Sequence, residues 1–156
     1  MGFLLWLEST AYAQWILTGL TGWPLVLSMH AVGLAIAVGI NFAMNLRLLG
    51  LYRTIPLGAV HRLLNYAWIG IIINIFSGFS LFMTQASVYV TSVPFIVKIT
   101  AIILAIVSMV FTERLLDRES AAWEANGVSK QGRNLAIASL GLWALAVVTG
   151  RLIAYL

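Results

Sequence analysis

The sequence predicts an all-α integral membrane protein, a four-helix bundle preceded by an N-terminal interfacial helix. Hydrophobic residues make up 62% of the chain and charged residues only 9%, whereas a soluble domain carries about 25% charged residues. Four stretches are long and apolar enough to cross a bilayer, which takes about 20 residues each. Too few charges remain to cover a water-facing surface, so we expect lipid around the bundle.

The first 22 residues form a separate unit in this prediction. Trp6 and Trp15 alternate with polar residues such as Glu8, a composition typical of a helix that lies in the membrane interface. We therefore predict an interfacial helix on the outer face over residues 1–22. A fifth transmembrane span is the alternative, and the acidic residue and two following glycines argue against it.

The bundle is predicted over residues 23–156, with four spans separated by short polar loops. The spans cover residues 24–51, 58–84, 93–114 and 131–155. Apolar and charged residues alternate at helical spacing over 115–127, so the third span is expected to continue as a cytoplasmic helical extension. Asn126-Gly127 matches a helix C-cap, and Ser129 matches an N-cap for the fourth span.

Basic residues indicate the orientation of the bundle. Most of the arginines and lysines lie in the loops after the first and third spans or in the span ends next to them, while the loop between the second and third spans has no charge. Cytoplasmic loops are enriched in Lys and Arg, so both termini are predicted outside. The net charge of +4 reflects basic residues that are placed near these loops, so it does not indicate binding to nucleic acid.

The chain has no cysteine, which excludes disulfides, thiolate metal sites and c-type haem attachment.

Three ionisable side chains lie at a similar predicted depth, one on each of three spans. They are His30, Lys98 and Arg151, and each lies roughly 6–9 Å below the outer boundary at 1.5 Å per residue. Met83 of the second span comes near the same level. Ionisable groups in hydrocarbon are costly and by default mark a functional site. We therefore predict a cofactor site formed by these four residues, with His30 as the metal ligand.

Small and polar residues share the helix faces that point to this site. Gly33 and Asn41 follow His30 at helical spacing, and Gly70 and Asn74 form a similar stripe in the second span. Small residues let helices approach closely in lipid, and amides hydrogen-bond between them. We expect a compact bundle with polar groups inside.

Two cations near one histidine, with no acid in any span, favour an anionic ligand. Haem b fits this set: His30 would ligate the iron, Met83 would be a second axial ligand, and Lys98 and Arg151 would pair with the propionates. A quinone head group, a lipid phosphate or a carboxylate substrate fits less completely. A purely structural interpretation stays open, in which both cations extend to the interface and the histidine is hydrogen-bonded within the bundle.

His61 is predicted near the inner end of the second span, about 25 Å from His30 in depth, so one haem cannot bridge both. We interpret His61 as a solvated interfacial residue, with a second, inner site as the alternative. The sequence has no HExxH motif, no nucleophile elbow and no paired carboxylates within its spans. We therefore do not expect it to be catalytic on its own.

Four motifs support a resemblance to known membrane proteins. In order they are His30-Ala-Val-Gly33, Asn45-Leu-Arg-Leu-Leu-Gly50, Ser77-Gly78-Phe79-Ser80-Leu81-Phe82 and Phe95-Ile96-Val97-Lys98. Over about residues 23–110, this pattern resembles an uncharacterised family of small four-helix bacterial inner-membrane proteins, which implies that location and no assigned activity. Asn45 stands where that family has aspartate, so a role that needs a carboxylate there does not carry over. A weaker likeness, in architecture and His30 alone, is to copper-resistance membrane proteins and b561-type cytochromes.

These observations give three functional hypotheses. The first is a haem b-binding membrane subunit that passes electrons between a quinone or partner oxidoreductase and an outer acceptor. The second is a non-catalytic accessory subunit of a larger membrane complex. The third is a small transporter or a copper-handling protein, with His30, Met29 and Met83 as soft ligands for Cu(I). In each case the expected partners are lipid and other membrane subunits, or further copies of the chain.

Overall fold

A computed structural model describes residues 2–153, and the regular structure in this part of the chain is entirely helical. Its helices are α1 (Gly2–Ser9), α2 (Ala11–Thr18), α3 (Gly22–Leu48), α4 (Leu57–Thr84), α5 (Ala86–Tyr89), α6 (Val93–Asn126) and α7 (Lys130–Leu152). Four of them, α3, α4, α6 and α7, are long and apolar enough to cross a membrane. The predicted all-α membrane fold is confirmed.

The long helices follow the predicted spans closely, except at the end of α3. This helix ends at Leu48 rather than at residue 51, because Gly50 and Tyr52 adopt positive φ angles of 99° and 52° that turn the chain. α6 continues without a break to Asn126, so the extension beyond its apolar stretch is helical as predicted. The predicted end of the fourth span, at 154–155, lies outside the described residues.

Both caps predicted between the third and fourth spans are confirmed. Gly127 ends α6 with a φ angle of 86°, and its N–H donates to the carbonyl of Trp123. Ser129 begins α7, and its hydroxyl oxygen accepts from the N–H of Gly132 at 3.2 Å. The short connection 127–129 makes α6 and α7 an antiparallel hairpin.

The N-terminal segment is not the single helix predicted, because it consists of two short helices. Thr10 interrupts it with extended backbone and caps α2 by accepting from the N–H of Ala13. α1 packs on α4 and α5, and α2 packs on α3 and α4. The Glu8 carboxylate accepts from the N–H and the hydroxyl of Ser87, both at 2.7 Å, and these bonds lower the pKa of Glu8. Sequence analysis missed α5 because so short a helix leaves no periodic pattern.

α3 and α4 form the closest helix pair of the bundle, and two glycines permit that approach. A Cβ on Gly70 would lie 2.6 Å from the backbone nitrogen of Ala37, and a Cβ on Gly33 would lie 3.0 Å from the carbonyl oxygen of Gly70. Backbone therefore contacts backbone at this crossing, as expected of small residues between membrane helices. α7 packs on α6 and α3, whereas α4 and α6 touch far less.

Two buried asparagines of α3 connect it to the second hairpin. Nδ2 of Asn41 lies 3.3 Å from the sulfur of Met109 in α6, and Nδ2 of Asn45 donates to the hydroxyl oxygen of Ser139 in α7 at 3.0 Å. Each amide also donates to the α3 carbonyl one turn earlier. Polar contacts of this kind help to fix which helix faces meet in an apolar interior.

At the end of the bundle away from α5, Glu124 joins the end of α6 to the connection 49–56. Its carboxylate accepts from the N–H of Leu57 and lies 3.4 Å from a guanidinium nitrogen of the buried Arg47. Arg47 also donates from Nε to the carbonyl of Ile55 at 2.6 Å. Arg47 thus makes its ion pair with α6.

Gly70→Ala is expected to destabilise the bundle by about 1–3 kcal/mol, the usual cost of overpacking, because its Cβ has no room beside Ala37. Gly39→Ala in α3 is the matched control, since a Cβ at Gly39 meets nothing within 4 Å. SDS titration in mixed micelles, followed by circular dichroism, measures the two stabilities. Equal values for the two variants would contradict the close crossing.

Candidate intramembrane site

A cavity of about 420 Å³ lies among the four long helices, in the half of the bundle nearer α5. Its volume is within the range of about 300–1,000 Å³ that is usual for small-molecule sites. All four long helices and the connection after α5 contribute to its wall. The lining residues are His30, Leu34, Ala37, Val38, Ile71, Asn74, Ile75, Gly78, Phe79, Phe82, Val90, Phe95, Lys98, Ile99, Ile102, Ile106, Trp143, Ala146 and Val147.

The cavity opens sideways, through the loosely packed gap between α4 and α6. On the α4 side, the lining residues Ile75 and Phe79 are 59% and 54% exposed, and on the α6 side Ile99 is 40% exposed. These side chains belong to the surface that faces lipid when the long helices span a membrane. A ligand can therefore enter from within the bilayer.

Four polar side chains interrupt an otherwise apolar lining. They are His30, Asn74, Lys98 and Trp143, and each comes from a different long helix. A few polar groups that converge in an apolar cavity are the usual composition of a site that binds and orients a small molecule. The hydrogen bonds that each group makes or lacks indicate which donor or acceptor atoms that molecule must carry.

The hydrogen bonds around His30 determine which ring nitrogen carries the proton. Ser77 donates its hydroxyl proton to the carbonyl of Ile73 at 2.6 Å. Its oxygen must therefore accept from Nδ1 of His30, which lies 3.0 Å away. A neutral imidazole protonated on Nδ1 keeps its lone pair on Nε2. His30 thus offers an acceptor, or a metal ligand, at the cavity wall.

Lys98 brings a positive charge to the same cavity. A Cβ at Gly150 would lie 3.3 Å from both Cε and Nζ of the lysine, so the absence of a side chain there makes room for the lysine stem against α7. The ion pairs within residues 2–153 are Arg47 with Glu124 and His61 with Asp117. Neither reaches Lys98, and an ammonium in apolar surroundings favours an acceptor supplied by a ligand.

Two further donors of the lining lack a hydrogen-bond partner in the part of the chain that the structure describes. They are Nε1 of Trp143 and Nδ2 of Asn74. Trp143 is only 4% exposed, and leaving a buried donor unsatisfied costs about 1–3 kcal/mol. Both atoms are covered, and Nδ2 of Asn74 lies toward Gly33 of α3, so neither faces the open space of the cavity directly.

An aromatic cluster of Phe82, Tyr89 and Phe95 lies at the α5 end of the cavity. Its ring centroids are 5.5–6.4 Å apart and the rings are stacked. Both phenylalanines line the cavity, and burial raises the pKa of Tyr89. The cluster gives the cavity a flat apolar surface suited to a planar ring.

Of the four residues predicted to form a cofactor site, the structure brings two together. His30 and Lys98 both line the cavity. Met83 lies on an adjacent face of α4, and Arg151 is exposed near the end of α7, so neither lines the cavity. The lining therefore offers one imidazole and one cation where the sequence predicted two axial ligands and two cations.

The residues of this lining can be compared with those that haem b and Cu(I), the ligands considered from the sequence, would need. Nε2 of His30 suits an iron atom, but a second axial ligand from Met83 would lie off the cavity wall, and Lys98 alone faces the space where two propionates would need partners. Met29 and Met83, the other two residues of the copper hypothesis, do not line this cavity. Within residues 2–153, no three His, Cys, Asp or Glu side chains come together as a metal site would require.

His61 lies at the other end of α4 and shares no cavity with the first histidine. Its Nε2 is 3.4 Å from Oδ1 of Asp117 in α6, and its side chain is partly buried. This contact joins α4 to the helical extension of α6. With 27% of the side chain exposed, the interpretation of His61 as a solvated interfacial residue stays a prediction.

Trp143 is the site residue that sequence analysis missed. In an apolar helix, a tryptophan has the same hydropathy signature whether it fills the core or lines a cavity, so the sequence gives no signal that separates the two. Asn74 was expected to bond between helices, and the structure places it on the cavity wall.

Composition, fold and the four long apolar helices define a multi-pass membrane protein of the all-α class. No protein-family model, no curated protein and no solved structure matches the chain.

Nitrogen chemical shifts of ¹⁵N-labelled histidine are expected to show that the neutral imidazole of His30 carries its proton on Nδ1 and not on Nε2. The reason is that the single hydroxyl proton of Ser77 is already bonded to a carbonyl. The variant His61→Gln leaves one histidine and so assigns the signal. Ser77→Ala should give a mixture of tautomers, and a wild-type signal protonated on Nε2 would contradict the hydrogen-bond geometry.

Proposed function

We propose that the cavity binds a quinone, a lipophilic molecule whose planar ring carries two carbonyl oxygens. The observation that carries this proposal is the excess of donors in the lining. Lys98 meets no acceptor among residues 2–153, and a small rotation of Trp143 or Asn74 would turn a covered, unbonded N–H group into the cavity. A quinone carbonyl supplies the acceptor that these groups lack.

The rest of the cavity suits the apolar parts of such a molecule. The aromatic cluster offers a stacking surface for the ring, and the aliphatic side chains of α4 and α6 offer a path for an isoprenoid tail. The opening between these two helices faces lipid, where quinones reside. A water-soluble ligand would gain little from an entrance of that kind.

His30 suits the reduced form of the same ligand. A quinol carries two hydroxyl groups, and the lone pair on Nε2 of His30 is an acceptor for one of them. The lining thus has donors for the oxidised carbonyls and an acceptor for a reduced hydroxyl. The electrons for this interconversion would come from a partner oxidoreductase, so the chain's own part is to bind and orient the quinone as a membrane subunit.

The proposed setting is the bacterial inner membrane, with the α5 end of the bundle outside. Seven of the nine arginine and lysine residues lie at the opposite end, between positions 47 and 62 and along 113–133. Cytoplasmic loops show this enrichment. The cavity would then lie in the outer half of the membrane.

Titration of the detergent-purified protein with decyl-ubiquinone, followed by calorimetry, tests the proposal. We expect saturable binding that Lys98→Met and Trp143→Phe each weaken about tenfold, because one hydrogen bond to a buried or charged donor contributes about 1.4 kcal/mol. Lys130→Met is the matched control, since this lysine is exposed at the other end of the bundle.

Two results would count against the proposal. Saturable binding that neither cavity variant weakens would place the quinone elsewhere on the protein. A lack of saturable binding, both for decyl-ubiquinone and for a short-chain naphthoquinone, would reject quinone as the ligand class.

Haem b is a second candidate, and the tautomer of His30 is the observation that favours it. A lone pair on Nε2, with Nδ1 held by Ser77, is the arrangement of an imidazole ready to ligate iron. Lys98 would pair with one propionate. Haem would bring electron transfer to the same cavity.

Absorption spectra of the oxidised and dithionite-reduced protein, purified from haem-supplemented cells, distinguish the two candidates. If haem is the ligand, His30→Ala abolishes the Soret band and His61→Ala retains it, because only the former lines the cavity. A colourless wild-type protein would eliminate haem, and an unchanged spectrum in His30→Ala would eliminate this cavity as its site.

A further inference from the structure

A second groove, separate from the cavity, lies between α6 and α7 at the end of the bundle away from α5. Its volume is about 350 Å³. Its lining consists of Phe111, Arg114, Leu115 and Arg118 of α6 with Gln131 and Leu135 of α7. Three of these side chains are apolar, two are cationic and one is an amide, so the groove is amphipathic.

The two arginines of the groove stand on one face of α6, one helical turn apart. The ion pairs found within residues 2–153 involve other residues, so neither guanidinium has a carboxylate at salt-bridge distance there. Glu113 points to another face of α6, and Asp117, a helical neighbour of Arg114, lies beside His61 of α4. The groove thus carries two positive charges with no acid in its lining.

The position of the groove along α6 matches the boundary between hydrocarbon and head groups. Between Lys98 and Glu113 the helix has no charged residue, and Glu113 and Arg114 end this uncharged stretch. On α7, Arg133 is the last charge before the apolar run that contains Leu135. The guanidinium groups therefore lie where the head groups of a leaflet begin, and the apolar side chains lie beside or below them.

We propose that this groove binds the phosphate of an anionic phospholipid, with the start of an acyl chain against Phe111, Leu115 and Leu135. Arginine guanidinium groups match phosphate oxygens in geometry as well as in charge. Basic pockets between membrane helices on the cytoplasmic side are known to bind anionic head groups. A free phosphate ion would use the two arginines but would leave the apolar half of the groove without a role. The inference is independent of the ligand of the first cavity.

Native mass spectrometry of the detergent-purified protein, incubated with equal amounts of phosphatidylglycerol and phosphatidylcholine, tests this proposal. Wild type is expected to retain phosphatidylglycerol preferentially. The double variant Arg114→Gln/Arg118→Gln should lose that preference about tenfold or more. Arg53→Gln/Arg62→Gln is the matched control, because it removes two exposed arginines from the same end of the bundle and should keep the preference.

Further results separate the lipid from a free anion and from a folding defect. Arg114→Lys/Arg118→Lys keeps both charges and loses the planar guanidinium groups, so intermediate retention is expected. Equal retention of both lipids by wild type would overturn the proposal whatever the variants do. If millimolar inorganic phosphate displaces phosphatidylglycerol and a chloride salt at the same ionic strength does not, the proposal is overturned in favour of a free phosphate site.

Discussion

The backbone contact between α3 and α4 at Gly33 and Gly70 is the constraint on which the rest of the bundle depends. It draws these two helices together, and α7 then packs on α3 and α6. Little contact is left between α4 and α6, and the cavity is the space that results. The same crossing positions two polar groups of the cavity, because His30 lies one turn from Gly33 and Asn74 lies one turn from Gly70.

Much of the fold could be predicted from the sequence because apolar length and charge placement determine where membrane helices begin and end. The site was predictable only in part. Depth follows from counting residues along a span, and it correctly grouped His30 with Lys98. Depth does not fix the direction in which a side chain points, so Met83 and Arg151, at similar predicted levels, lie off the wall. The contact of Glu8 with the short helix α5 depends on residues far apart in the chain, which periodicity does not report.

The distribution of acidic residues explains why the cavity lining has more hydrogen-bond donors than acceptors. Four of the five carboxylates contact other groups of the chain: Glu8, Asp117, Glu119 and Glu124. All four lie outside the apolar stretches of the long helices. Within residues 2–153, Lys98 and the indole of Trp143 therefore find no acid at their own level, and a lining of this polarity suits a neutral carbonyl or an anionic group far better than a cation.

α6 is one uninterrupted helix over Val93–Asn126, roughly 50 Å long at 1.5 Å per residue. One end carries Lys98 beside the lateral opening of the cavity, and the other carries Glu124 against Arg47 and the connection 49–56. An unbroken helix of this length tilts as a rod. An occupant that pushes α6 away from α4 therefore also moves the far end of α6, where Glu124 contacts Arg47 and the connection 49–56 on the opposite side of the membrane.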